Sequence, residues 1–166
     1  MQDDLRRDIA ALVPRLRRFA RALAGNVDMG DDIVQTACVK ALSSLDRFTP
    51  GTRLDSWMFR IVQNSYLDTV RSGWRRSTVS DPDLLARQSD CGLGARHAED
   101  RLTLDRLRKA VAELPEDQRA VLALVAIDGL SYKDAAGALG VPIGTVMSRL
   151  ARARAKLMHF AEGEVP

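Results

Sequence analysis

Gly140-Val141-Pro142-Ile143-Gly144-Thr145-Val146-Met147-Ser148-Arg149-Leu150-Ala151-Arg152-Ala153-Arg154-Ala155-Lys156-Leu157 divides into two faces once it is wound as a helix after a glycine turn. Val146, Leu150, Ala153 and Leu157 recur at helical spacing as an apolar stripe, whereas Thr145, Ser148, Arg149, Arg152 and Lys156 fall on the opposite face. Just upstream, Ser131 and Asp134 have capping-box spacing, and Tyr132, Ala135, Ala136 and Leu139 form a short apolar helix face with room for close packing. Helix, glycine turn, helix is the pattern of a helix-turn-helix, whose second helix presents its N-terminal residues to base edges in the major groove. Thr145, Ser148 and Arg149 occupy those positions, and Arg152, Arg154 and Lys156 extend toward the phosphate backbone. The alternative is an ordinary helical hairpin with a solvated basic face. Between Ala135 and Phe160 there is no carboxylate at all, a one-sign pattern that favours an anionic partner.

The 166 residues suffice for one medium domain or two small ones, and 46% hydrophobic content supports a buried core. A net charge of +3 is mild, so nucleic-acid affinity has to come from local patches. Leu, Ala and Arg dominate and aromatics are few, which predicts an all-α protein. No apolar run approaches a membrane span and the acidic start Gln2-Asp3-Asp4 is unlike a signal peptide, so the expected location is cytoplasmic, without membrane insertion. Cys38, Cys91, His97 and His159 have no metal-ligand spacing; no metal or cofactor is expected. Cys38 falls on an apolar stripe as a small core residue, and Cys91 sits in a polar stretch where a free thiol is the simplest reading.

Along the chain, Asp3 to Leu12 reads as a helical lead-in, and Pro14 as the first turn of a longer helix that buries Leu16, Phe19, Ala20 and Leu23 and stops at Gly25. Its other face, Arg15, Arg17, Arg18 and Arg21, reads as solvated by default, with a nucleic-acid or polymerase surface as the alternative. Asp28 is the expected cap of a second helix with Val34, Ala37, Cys38, Ala41 and Leu45 inward. Asp31, Asp32 and Gln35 share an edge of that helix, where no nucleophile or base accompanies the carboxylates, so a protein-binding edge is the better reading than an active site. A Pro50-Gly51 loop then leads into a long helix from Leu54 to about Ser72. Phe48, Trp57, Phe59, Tyr66 and Trp74 are interleaved here with Arg53, Arg60, Arg71, Arg75 and Arg76, the combination that stacks bases and holds phosphates of a single strand. Core packing competes for each ring; for Phe59 it is the stronger reading, while Trp57 is balanced.

Residues 77–98, rich in Ser, Asp and Gly, read as a flexible linker able to span about 70 Å when extended. The expected organisation is therefore two small helical modules, 1–76 and 99–160, joined by that linker and followed by a short tail, 161–166. In the second module Leu104, Leu107, Val111 and Leu114 share one face, Pro115 opens a helix burying Val121, Leu122, Leu124 and Val125, and Gly129 closes it before the helix-turn-helix.

Taken in order, Asp31-Asp32-Ile33-Val34-Gln35, Leu45-Asp46-Arg47-Phe48, Trp57-Met58-Phe59-Arg60-Ile61 with Asn64 and Asp68, Glu113-Leu114-Pro115, and Val141 through Leu150 with Arg152-Ala153-Arg154 resemble a bacterial sigma factor of the extracytoplasmic function (ECF) class of the sigma-70 family. The resemblance implies an initiation factor for RNA polymerase rather than an enzyme. Its first module would resemble sigma region 2, with Asp31, Asp32 and Gln35 docking on core RNA polymerase. Phe48, Arg53, Trp57, Arg60, Asn64 and Arg71 would recognise and melt the single-stranded −10 element. Its second module would resemble region 4, with Thr145, Ser148, Arg149, Arg152, Arg154 and Lys156 on the duplex −35 element. An anti-sigma protein is the further partner implied. Met147 and Ala151 depart from the basic or bulky residues of many relatives. The rival readings are a sigma-like decoy that binds an anti-sigma factor without initiating transcription, usually fused to a receiver domain for which 166 residues leave no room, and an operator-binding regulator, which leaves the first module without a role.

Overall fold

The computed structural model describes residues 2–77 and 98–163, with side chains for 2–73 and 103–163. Most of the expected linker, Cys91 and His97 lie outside the described residues, as do the side chains of Trp74, Arg75 and Arg76. Seven α-helices and no strand occur among the described residues, as the composition predicts.

Helix α1 spans Gln2–Ala24 and continues through Pro14 where two separate helices were expected. Pro14 sits on the exposed side, so the carbonyl it leaves without an amide partner stays within reach of water. Meanwhile Ile9, Leu16, Phe19, Ala20 and Leu23 form one unbroken buried stripe. Each such side chain stabilises the fold by roughly 1.5–3 kcal/mol for the larger residues, enough together to outweigh the helix-interior cost of proline, about 3 kcal/mol. Gly25 turns the chain at a φ of 66°, and Asn26, not Asp28, caps α2 (Val27–Leu42) by accepting the Met29 amide at 3.0 Å. Asn and Asp cap about equally well, and the residue nearest the turn takes the position. The two helices approach so closely at Gly30 that a Cβ there would lie 2.8 Å from the Arg21 Cα. A short 3-10 turn, Leu45–Arg47, leads to α3 (Leu54–Ser77). Met58, Phe59 and Val62 are completely buried, and Phe59 meets Phe19 edge-on at 5.2 Å between ring centroids, settling Phe59 as core.

The second module consists of α4 (Ala98–Ala112), α5 (Glu116–Leu122), α6 (Tyr132–Leu139) and α7 (Ile143–Ala161). Pro115 precedes α5 as expected, but the helix widens into a π turn at Ala123–Ile127, with the Asp128 amide donating to the Ala123 carbonyl. Ser131 caps α6 by accepting the Asp134 amide at 3.0 Å. Gly140, with φ 67°, takes the left-handed position that ends α6, so the glycine turn forms as read. Among the described side chains of α4 the apolar face is covered toward its C-terminal end. Leu114 is buried and Val111 partly so, whereas Leu104 and Leu107 are exposed because α4 packs chiefly on α7 and extends past it. Helix α6 packs on α7 on one side and on α3 of the first module on the other, so the buried residues of both modules join in one continuous core.

Candidate nucleic-acid and polymerase interfaces

Val146, Leu150 and Ala153 of α7 are buried and Leu157 is partly so, which fixes the rotation of the helix. At about 100° per residue, the positions opposite that stripe are Ser148, Ala151 and Ala155, with Met147 on one side and Arg152 on the other. All five are exposed. Thr145, half-buried, lies on the Arg152 side, whereas Arg149 turns back toward the packed side, is half-buried, and pairs through its Nε with the Asp117 carboxylate of α5 at 3.1 Å. The outward face is thus rotated relative to the stripe read from the sequence: Ser148, Arg152 and Lys156 remain on or beside it, Arg149 lies at its edge, and Met147 and Ala151 join it. Arg154 is exposed on the Met147 flank, away from Lys156. The signal that would have found this is the buried stripe itself, whose opposite side is the one free to enter a groove.

In the first module Phe48 and Trp57 form a tilted pair 5.4 Å apart, both half-buried, at the mouth of the loop before α3. Asn64 and Arg71 are exposed farther along α3. Arg53 and Arg60 share this side but are already occupied. Arg53 bonds Asp55 at 2.7 Å and also bonds Asp134 of α6, and Arg60 donates to the Gly137 carbonyl of α6 at 2.9 Å. The Arg53 hydrogen bond holds the Asp55 carboxyl below its usual range.

On α2, Asp32 and Gln35 are exposed as expected, but Asp31 is not a free carboxylate. Arg21 grips it with two bonds of 3.0 and 2.9 Å, Arg17 lies 3.9 Å away, and these cations hold its pKa below the ordinary carboxylate value. Val39 and Leu42 continue the Asp32 and Gln35 edge at helical spacing and are exposed, an apolar extension that the stripe assignment from sequence missed. Cys38 is half-buried, and burial raises its thiol pKa. Among the described residues no group of three or more His, Cys, Asp or Glu could hold a metal ion, and no helix is long and apolar enough to cross a membrane.

Residues 104–157 match the family model of sigma-70 region 4, and residues 9–63 match that of the sigma2 domain of PhyR. Over 160 residues the chain is 42% identical to the ECF RNA polymerase sigma factor EcfG of Rhodopseudomonas palustris (strain TIE-1), covering 95% of this chain and 84% of that protein. The chain belongs to the ECF class of sigma-70 family sigma factors. Two solved structures superpose on nearly the whole chain. The sigma factor RpoE in complex with the anti-sigma factor NepR from Bartonella quintana superposes with a TM-score of 0.79 at 33% identity, over 98% of this chain and 99% of that one. CnrH, in complex with the cytosolic domain of CnrY, gives 0.72 at 28% identity, over 99% and 92%.

In this ECF sigma factor the two modules are docked, and arginine bonds to carboxylate or carbonyl groups accompany the apolar contact between them. The Asp128 side chain, only 2% exposed, accepts from Arg15 at 2.6 and 3.1 Å and from Arg18 at 3.4 Å. Arg15 also reaches Asp55 at 3.4 Å and lies over the Phe59 ring, 5.5 Å from its centroid. Its pKa is raised, chiefly by the Asp128 hydrogen bond. Arg119 of α5 donates to the Tyr66 hydroxyl at 3.2 Å. The arginine face of α1 is therefore not simply solvated: Arg17 and Arg21 hold α2, and Arg15 and Arg18 hold the second module. The π turn has a part in this, because it ends α5 where Asp128 meets α1.

Proposed function

We propose that this sigma factor works through two separate DNA-facing surfaces and one polymerase-facing edge, and that the docked arrangement is its resting form. The edge formed by Asp32 and Gln35, lengthened by Val39 and Leu42, docks on core RNA polymerase; Asp31 serves the α1–α2 packing that presents it. The loop from Phe48 to Arg53 and the outer side of α3 through Arg60, Asn64 and Arg71 takes the unpaired strand of the −10 element, with Trp57 and Phe48 as the stacking platform. The outward face of α7 binds the −35 element as duplex. There Ser148 and Arg152 reach base edges, Thr145, Arg154 and Lys156 hold phosphates, and Arg149, steered by Asp117, reaches the groove from the side.

Arg53 and Arg60 are engaged by α6 in the docked form and give up those bonds if they turn fully onto a DNA strand. Full access of a −10 strand to this side therefore requires α6 to leave α3, whereas the α2 edge is exposed in the docked form as well. An anti-sigma protein that favours the resting form would keep such a factor inactive, and a relative solved in complex with an anti-sigma factor supports a partner of that kind. The observation that carries the DNA assignment is α7: a fully formed helix with exposed Ser148, Arg152, Arg154 and Lys156 and no carboxylate from Ala135 to Phe160.

The test is holoenzyme binding to a promoter that this factor uses. Arg152→Ala is expected to weaken upstream-element binding by about 1–3 kcal/mol without changing affinity for core polymerase. Asp32→Ala combined with Val39→Ala is expected to do the reverse. A promoter affinity untouched by Arg152→Ala would remove α7 from the reading.

A further inference from the structure

We infer that Met147, with Ala151 beside it, reads thymine methyl groups in the upstream duplex element. The inference rests on the proposed −35 role of α7. Met147 is 52% exposed near the start of a helix whose other outward side chains are Ser148, Ala151 and Arg152. It does not serve the core, since Val146 and Leu150 fill that side and are buried. A half-exposed thioether at the N-terminal end of a groove-entering helix stands where side chains meet base edges.

The occupant follows from charge. The cations flanking this apolar spot, with no carboxylate in the surrounding 26 residues from Ala135 to Phe160, suit a polyanion and not an apolar protein groove. On the major-groove edge of a duplex, the one apolar group is the C5-methyl of thymine. Methionine is unbranched and polarizable, so it can follow that methyl as the helix settles. Ala151, one turn further on, adds a second small apolar contact and leaves the backbone free to come close. Ser148 and Arg152 supply the polar contacts between and beyond them, so the element is expected to mix thymines with bases read by hydrogen bonds.

The experiment uses holoenzyme made from the full chain and core polymerase, on duplex promoters recovered by mapping its own transcripts. Each thymine of the upstream element is replaced singly by uracil, which removes only the methyl. For the wild-type chain at least one replacement is expected to weaken binding about three- to fivefold, the effect of losing one buried methyl. Met147→Ala is expected to bind the thymine and uracil duplexes equally and to keep its preference at the other positions. Uracil that binds as well as thymine everywhere, an element without thymine, or a uracil penalty that survives Met147→Ala would each overturn the inference. If neither chain distinguishes the upstream element from random duplex, the −35 role of α7 itself fails.

Discussion

Replacing Asp128 by Ala should open the molecule. The carboxylate is almost wholly buried and takes hydrogen bonds from Arg15 and Arg18, so its removal leaves two guanidinium groups facing a void at the centre of the seam. Breaking a fully buried pair from one side costs about 3–5 kcal/mol. Here Arg15 keeps Asp55 and is about a third exposed, at 32%, and Arg18 is more than half exposed, so water recovers part of the loss. A cost of roughly 1–3 kcal/mol remains, which shifts the ratio of docked to undocked modules by about 5- to 150-fold. The loss falls on docking because both arginines belong to α1 while Asp128 lies between the π turn and α6. Small-angle scattering should report a larger radius of gyration, and amide exchange should rise in α6, whose outer side loses α3, while helical circular dichroism stays that of the wild type. The double variant Arg15→Ala/Asp128→Ala should be no more open than the less docked single variant, since both remove the same bond. A folded Asp128→Ala chain with wild-type dimensions and wild-type exchange in α6 would refute the reasoning.

Asn64→Ala should lower the yield of open complexes while leaving polymerase affinity unchanged, since Asn64 is exposed on α3 away from the α2 edge; permanganate reactivity of −10 thymines reads the first and a core-binding titration the second. Gly30→Ala should destabilise the first module by about 1–3 kcal/mol, because its Cβ would press on the Arg21 backbone, and chemical denaturation would detect it. Docking should weaken modestly as salt rises from 0.05 to about 0.5 M, since the partly solvated ion pairs across the seam are screened while its apolar contact is not; scattering at the two salt concentrations checks it.

Much of the fold was legible because helical periodicity and turn chemistry are local. Ser131, Gly140, and the stripe Val146, Leu150 and Ala153 all sit where spacing puts them, and Phe59 went to the core. What was not legible depends on which elements meet in space. Pro14 reads as a helix start until the stripe from Ile9 to Leu23 is seen to pack along its whole length. Asp31 reads as part of an exposed edge until Arg21, ten residues earlier, is found holding it. Arg15 and Arg18 read as solvated because their partner Asp128 lies more than a hundred residues away, at a π turn with no sequence signature. For the site, the residue types were readable, but the direction of α7 was offset: the polar stripe was taken as the outward face, while burial turns Met147 and Ala151 outward with Ser148.

The most direct test adds the purified chain to sigma-free core RNA polymerase on genomic DNA and maps the 5′ ends of the transcripts. The account predicts discrete starts, each preceded by two shared elements at a fixed spacing, with the upstream one lost for Arg152→Ala. A folded chain and an active core that together yield no specific starts would contradict it, and would leave the anti-sigma-binding decoy as the better description.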